Sequence, residues 1–321
     1  MSERGMAVLD QYDFEVFRIS RTRGAMLVET GEGLKHMAEC DRTERRIGVE
    51  QQVLEALHES GFPAERYVAN KEGGWLSKDE YQKPHVLKDW FEGRECSARD
   101  ERDCQEAVAI LARLHLALQQ IDMVVEPVYD PGEVWQKHNR EMSHVRKYLQ
   151  GKKSKMQFER IILESVNGYL QQGKQAAALW ENSEAKPKHQ LCHGNYTYHN
   201  VLLGITGFAV TGFSSLHTGY RAEDLYHFMR KVLEKNHWSL RLGAKMLETY
   251  NRIFPMGQGD WNLLYLLFLY PEKYWKQLNY YNNTRKNWIS DRNRDKLELL
   301  EQQKDGRDAF LAYLLERTEF T

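Results

Sequence analysis

The chain has 321 residues, enough for one large domain or two modest ones. Its 45 Lys and Arg balance 46 Asp and Glu, so no global charge drives it onto nucleic acid or an anionic membrane. With 41% hydrophobic and 12% aromatic residues it can bury a sizeable core, which excludes a disordered chain.

Residues 1–12 carry acidic side chains and no apolar segment, so no secretory signal is expected. Residues 14–19 alternate apolar and polar, the period of a half-buried strand. Residues 25–28 and 34–37 read as two more short strands. Turns at Arg23-Gly24 and Thr30-Gly31-Glu32-Gly33 separate them, which predicts an antiparallel meander. A helix follows. Asp41 with Glu44 reads as a capping box, Ile47, Val53, Leu54 and Leu57 make its apolar face, and Gly61 with Pro63 ends it. Tyr67-Val68, Gly74-Trp75-Leu76 and His85-Val86-Leu87 read as further strands, completing a small α+β unit.

From Ser97 onward the pattern is mostly helical. Residues 103–119 place Ala107, Ile110, Leu111, Leu114 and Leu118 on one face. Asp130-Pro131-Gly132 reads as a turn, and a polar helical stretch then runs to about Asn182. Within it, Gly151-Lys152-Lys153-Ser154-Lys155 reads as a solvated loop rather than a binding site. Residues 201–203 and 208–210, around a Gly204-Ile205-Thr206-Gly207 turn, predict a hairpin. Helices return over 221–235, 239–253, 261–281 and 293–315. The longest apolar run, 263–270, falls short of the roughly 20 residues a membrane span needs. Cys40, Cys96, Cys104 and Cys192 show no C-x-x-C spacing and read as reduced thiols. A soluble, intracellular protein is expected.

The segment His193-Gly194-Asn195-Tyr196-Thr197-Tyr198-His199-Asn200 carries the most chemistry. A kinase catalytic loop places a His, then an Asp that takes the hydroxyl proton, then an Asn five positions later that holds a metal ion. His193 and Asn200 keep that spacing, but Asn195 stands where the Asp belongs. The plain alternative is a turn-rich loop that happens to contain His and Asn.

Four stretches carry a family resemblance. They are Val86-Leu87-Lys88-Asp89-Trp90-Phe91-Glu92-Gly93-Arg94-Glu95-Cys96, then Leu191-Cys192 leading into the loop above. Asp224-Leu225-Tyr226-His227-Phe228-Met229-Arg230-Lys231 and Tyr270-Pro271-Glu272-Lys273-Tyr274-Trp275 follow. In this order the chain resembles the aminoglycoside phosphotransferase and choline kinase branch of the protein-kinase-like fold. Within that branch it looks most like the CotS-type spore coat proteins of spore-forming Firmicutes. The resemblance implies an α+β, two-lobed fold. Residues 1–91 would form a small N-lobe, a five-stranded antiparallel sheet plus one helix, ending in the hinge. Residues 92–321 would form a larger, mostly helical C-lobe holding the catalytic-loop hairpin.

Carried over residue by residue, the resemblance makes Leu87, Lys88 and Asp89 part of a hinge that meets an adenine ring. Lys35 falls at the third-strand lysine that pairs with nucleotide phosphates, and Glu50 at the helix carboxylate that orients it. His193 becomes a packing residue of the catalytic loop, Asp224 its brace, and Asn200 a metal ligand. Periodicity gives Glu50 separate support: it shares the inward face of Ile47 and Leu54, where a carboxylate needs a partner.

Three departures set this chain apart from an active kinase. Asn195 cannot accept a proton, and general-base help is worth about 10²–10⁴ in rate. Gly212-Phe213 aligns with the family's metal-binding Asp-Phe, and glycine offers no oxygen to Mg²⁺; Ser214 is a weak replacement. A glycine-rich phosphate loop is missing, with only Gly24 between the first two strands. The expectation is a pseudokinase of the coat without a cofactor, binding other coat proteins or itself, in the mother-cell cytoplasm and then the spore coat. An active ATP- and Mg²⁺-dependent small-molecule phosphotransferase is the first alternative, and a nucleotide-sensing module without turnover the second.

Two other features point to ordinary structure. His189, Cys192, His193 and His199 match no common zinc spacing. The aromatic residues Trp261, Tyr265, Phe268, Tyr270, Tyr274, Trp275, Tyr280, Tyr281 and Trp288 read mainly as core between helices, with an exposed contact surface as the alternative.

Overall fold

The structure is a computed structural model and describes residues 6–22, 24–205, 207–284 and 291–320. The first lobe holds α1 (Met6–Leu9), β1 (Val16–Thr22), β2 (Ala25–Thr30), β3 (Gly33–Glu39), α2 (Glu44–Glu59), β4 (Leu76–Lys78) and β5 (Pro84–Asp89). The five strands form one antiparallel sheet in the order β1-β2-β3-β5-β4. Strand alternation assigns its two faces. Val28, Met37 and Leu87 pack against Val8, Leu9 and Tyr12 at the N-terminal end of the chain. Val86 and Cys40, on the opposite face, join Ile47, Leu54 and Leu57 of α2. The register pairs Lys35 with Asp89 and His36 with Lys88. Lys35 and Asp89 therefore share the α1 face, while His36, Ala38 and Lys88 share the α2 face.

The cap of α2 is Thr43 rather than Asp41. Its backbone is extended and its side chain accepts from the Arg46 amide at 3.3 Å, leaving Asp41 two residues too early. Glu44 does not close a capping box; it accepts from the Trp75 amide instead.

The second lobe begins with β6 (Arg94–Glu95) and α3 (Glu101–Leu118). Asp130 caps α4 (Pro131–Gly151) with Pro131 at the first helical position, so the tripeptide expected as a turn starts a helix. The polar stretch that follows is two helices, α4 and α5 (Gln157–Asn182), parted at the lysine-rich segment. There Lys152 bonds Glu159 at 2.6 Å. Then come β7 (Gln190–Cys192), β8 (Val201–Leu203), β9 (Phe208–Val210), β10 (His217–Gly219), α6 (Arg221–Lys235) and α7 (Leu240–Ile253). The predicted 261–281 helix is two helices, α8 (Gln258–Leu269) and α9 (Glu272–Asn283), broken at Pro271, which lacks an amide hydrogen. Likewise α10 (Asp291–Gln302) and α11 (Lys304–Leu315) replace a single last helix.

The main core runs from α2 through α3, α6, α7, α8 and α11. Tyr265, Phe268, Tyr270, Tyr274 and Tyr281 are buried, whereas Trp261 and Trp275 are half-buried and Tyr280 is exposed. Trp288 lies outside the described residues. The aromatic cluster is thus mostly core. All four cysteines are buried free thiols, and no described helix is long and apolar enough to cross a membrane. The lobes are joined by backbone. The Glu65 amide donates to Val210 O and the Val210 amide to Pro63 O, both at 3.0 Å, so residues 63–65 run alongside β9.

Candidate functional site

The loop 193–200 is held as the spacing predicts. Asp224, in the first turn of α6, accepts from the His193 amide at 2.7 Å and the Gly194 amide at 2.8 Å. His115 lies 3.2 Å from the same carboxylate, its other ring nitrogen 2.7 Å from the Tyr250 hydroxyl. Burial alone would raise the Asp224 pKa. The hydrogen bond from His115 and the imidazoles nearby outweigh it and bring the group down to about 2. The His193 ring is fully buried between Tyr196 and Phe213. Its Nε2 donates to Thr211 O at 2.9 Å and its Nδ1 accepts the Asn195 amide at 3.2 Å. Burial lowers its pKa and keeps it neutral, as a packing role requires. His193 is thus packed inside the loop, and Asp224 holds the loop's backbone.

Asn195 is exposed at the mouth of the loop, and its carbonyl receives the Asn200 side-chain amide at 2.9 Å. Gly212 adopts φ +85°. A Cβ there would lie 2.6 Å from Asn200 Nδ2, so the left-handed backbone favours glycine and a side chain at 212 would have to displace the Asn200 amide. The neighbours of Gly212 supply no replacement set, and no cluster of three acids, His or Cys able to hold a metal occurs among the described residues. The donors present do not fit Mg²⁺, which demands near-octahedral oxygen coordination. Nor do the histidines near Cys192 converge: His193 bonds Thr211 O, and His199 pairs with Glu95.

The first lobe departs from expectation. Lys35 does not meet Glu50. Its Nζ is 2.7 Å from Asp89 Oδ1, on the α1 face of the sheet, because residue 35 has the parity of Met37 and not of His36. Asp89 also accepts from Arg66. Glu50 is fully buried on α2 and is held by Arg42, by Arg46 at 3.1 Å and by the Tyr67 hydroxyl at 2.6 Å. Arg46 continues across the lobes, donating to Leu216 O and, at 2.7 Å, to Glu126 O.

The lysine that faces α2 is Lys88. It bonds Glu65 at 2.7 Å and sits 4.5 Å from the Tyr67 ring centre. Glu65 also accepts the Phe213 amide at 3.0 Å. Burial would raise Glu65, but Lys88 and the backbone amides of Gly212 and Phe213 outweigh it and lower its pKa. Beside this pair, His36 stacks on Trp90 at 4.5 Å, and burial lowers its pKa.

Leu87, Lys88 and Asp89 belong to strand β5 rather than to a free connector. Leu87 packs on the α1 face, the Val68 amide donates to its carbonyl, and the Asp89 amide goes to Arg66 O. The Trp90 amide is bonded to Leu34 O. The backbone expected to meet adenine is already paired over most of its length.

The sequence reading missed His115, Glu65 and the two arginines. A signal existed for His115: it lies four residues after Leu111 and three before Leu118, on the apolar face of α3, where a polar ring needs a partner. Glu65 sits in an irregular segment with no periodicity to mark it.

Residues 6–261 match the phosphotransferase enzyme family. No curated protein matches the chain. Among solved structures, an aminoglycoside phosphotransferase from Alicyclobacillus acidocaldarius superposes with a TM-score of 0.86 at 17% identity, covering 98% of this chain and 96% of that one. Spectinomycin phosphotransferase APH(9)-Ia, solved with ADP and spectinomycin, gives 0.64 at 12% identity, covering 97% and 96%. Choline kinase LicA from Streptococcus pneumoniae gives 0.52 at 12% identity, covering 92% and 94%. These likenesses show the kinase-like fold, and the match over most of the length shows the family: the chain belongs to the phosphotransferase enzyme family.

Proposed function

We propose that this protein is a CotS-type, spore-coat-associated member of the family that acts by binding and assembly rather than by phosphoryl transfer. Its partners are other coat proteins or further copies of itself, and its place is the mother-cell cytoplasm and then the coat. The observation that carries the reading is Gly212, which offers no metal-binding carboxylate, on a left-handed backbone that favours glycine and with the Asn200 side chain over the position.

The rest of the cleft agrees with it. Phosphoryl transfer depends on positioning and on neutralising charge around the phosphates. The Asn195 amide takes no proton from a hydroxyl. Lys35 is turned to the other face of the sheet, and Lys88 is neutralised by Glu65. The coat assignment itself rests on the resemblance in the stretches around residues 86–96, 191–200, 224–231 and 270–275.

Calorimetric titration with ATP, with and without Mg²⁺, tests the cleft. Weak or absent binding that Mg²⁺ does not change is expected, together with no transfer to hydroxylated acceptors. Micromolar binding that requires Mg²⁺ overturns the reading. Fractionation of native spores tests the location: the protein is expected in the coat extract, and its absence there removes the coat assignment.

A further inference from the structure

We propose that the groove beside the hinge is a self-association face whose occupant is Ile205 of a second copy of this chain. Two cavities of about 870 and 670 Å³ share Gly61, Phe62, Pro63 and Phe91, so they form one continuous groove. The larger one is walled by Phe62, Phe91, Leu116 and Phe208, drawn from both lobes. Phe62 and Phe208 meet edge to face at 5.6 Å, so the groove has a packed aromatic floor.

The rim of this groove is the turn between β8 and β9. Gly204 and Gly207 line the cavity, and Ile205 between them is fully exposed. An extra Cβ at Gly204 would lie 2.8 Å from Glu92 O, so the turn is seated tightly on the hinge. A β-branched apolar side chain suits neither a turn nor water. Here it stands fully exposed between two residues that line an apolar hole. That is what an isologous twofold interface needs, since one rotation puts each Ile205 into the other copy's groove.

The charges on the face are self-complementary in the same sense. Glu92 and Arg113 both line the groove. Among the described residues Arg113 pairs with Glu106, at 3.5 Å between two half-exposed side chains, a pair of little strength. Among the described residues no ion pair is recorded for Glu92. The twofold that seats Ile205 brings Glu92 of each copy to Arg113 of the other. The inference rests on the proposed binding role and names its self-association face; nucleotide titration does not bear on it, so the two readings can fail separately.

Sedimentation of the full chain over a concentration series tests it. A reversible dimer is expected. Ile205→Asp should raise its dissociation constant about tenfold or more, the worth of burying one aliphatic side chain, with an unchanged thermal unfolding midpoint. Glu92→Arg and Arg113→Glu should each weaken the dimer, and mixing these two variants should restore it. A chain that stays monomeric at every concentration overturns the proposal. So does a dimer indifferent to Ile205→Asp, or a mixture of the charge variants that stays monomeric.

Discussion

Lys88 and Glu65 form a buried ion pair at 2.7 Å, and the same carboxylate receives the amide of Phe213. The pair thus fixes strand β5 to the Gly212-Phe213 segment. Lys88→Met leaves a buried carboxylate with only amide donors. Losing one partner of such a pair costs about 3–5 kcal/mol. Chemical denaturation of Lys88→Met should show a loss of that order, and adding Glu65→Gln should recover part of it. An unchanged midpoint in Lys88→Met would mean that the pair is solvated.

The partner of Lys35 is Asp89, not Glu50. A double-mutant cycle between Lys35→Met and Glu50→Gln should therefore give a coupling below about 0.5 kcal/mol, as for sites without shared contacts. The cycle with Asp89→Asn should give a measurable coupling. Because Asp89 is partly exposed and keeps Arg66, Lys35→Met alone should cost about 1–2 kcal/mol. Coupling to Glu50 of the same size as to Asp89 would contradict the assignment of faces.

Gly212→Ala should destabilise the protein by about 1–3 kcal/mol, from the left-handed backbone together with the approach to Asn200. Gly212→Asp should cost at least as much and gain no Mg²⁺ affinity. Asn195→Asp, at an exposed position, should change stability by less than about 0.5 kcal/mol. Thermal unfolding of the three variants, followed by Mg²⁺ titration, checks the order.

Asp224 gives the protein an acid limit. The group titrates near 2 when folded against an ordinary 3.8. Its contribution is complete above the ordinary value and is lost as pH falls towards 2, an effect of about 2 kcal/mol. Asp224→Asn should remove that part of the pH dependence while weakening the loop at neutral pH. Denaturation midpoints between pH 2 and 6, roughly the span over which carboxylates titrate, measure it. A variant with the same acid slope as the wild type would place the loss elsewhere.

The lobed architecture was legible because strand alternation and helical periodicity are local. The hairpin around residue 205 and helix α6 could be read directly for that reason. The loop 193–200 was legible because its spacing is a contiguous motif. Lys35 was not, because one residue of parity decides which face a strand side chain takes, and an alignment can slip by that much without any local signal. Glu50 was correctly placed inward by its neighbours Ile47 and Leu54. Arg46, four residues earlier on the same helix, could have been read as a partner, whereas Arg42 and Tyr67 meet Glu50 only in the folded lobe. Long helices were over-read at Pro271 and at Gln303, where a periodic stretch continued across a real break, whereas the loop read at residues 151–155 does part α4 from α5.

Arg46 ties α2 to the carbonyl oxygens of Leu216 and Glu126 as well as to Glu50. Backbone carbonyls do not titrate and cannot be phosphorylated, so this tie has no chemical switch. A two-lobed enzyme ordinarily opens and shuts to admit substrate and release product. Arg46 and residues 63–65 along β9 are further ties between the lobes that oppose such a motion. A surface that draws residues from both lobes is braced by them. A partner binding there would lose less free energy to ordering it, in keeping with the proposed binding role.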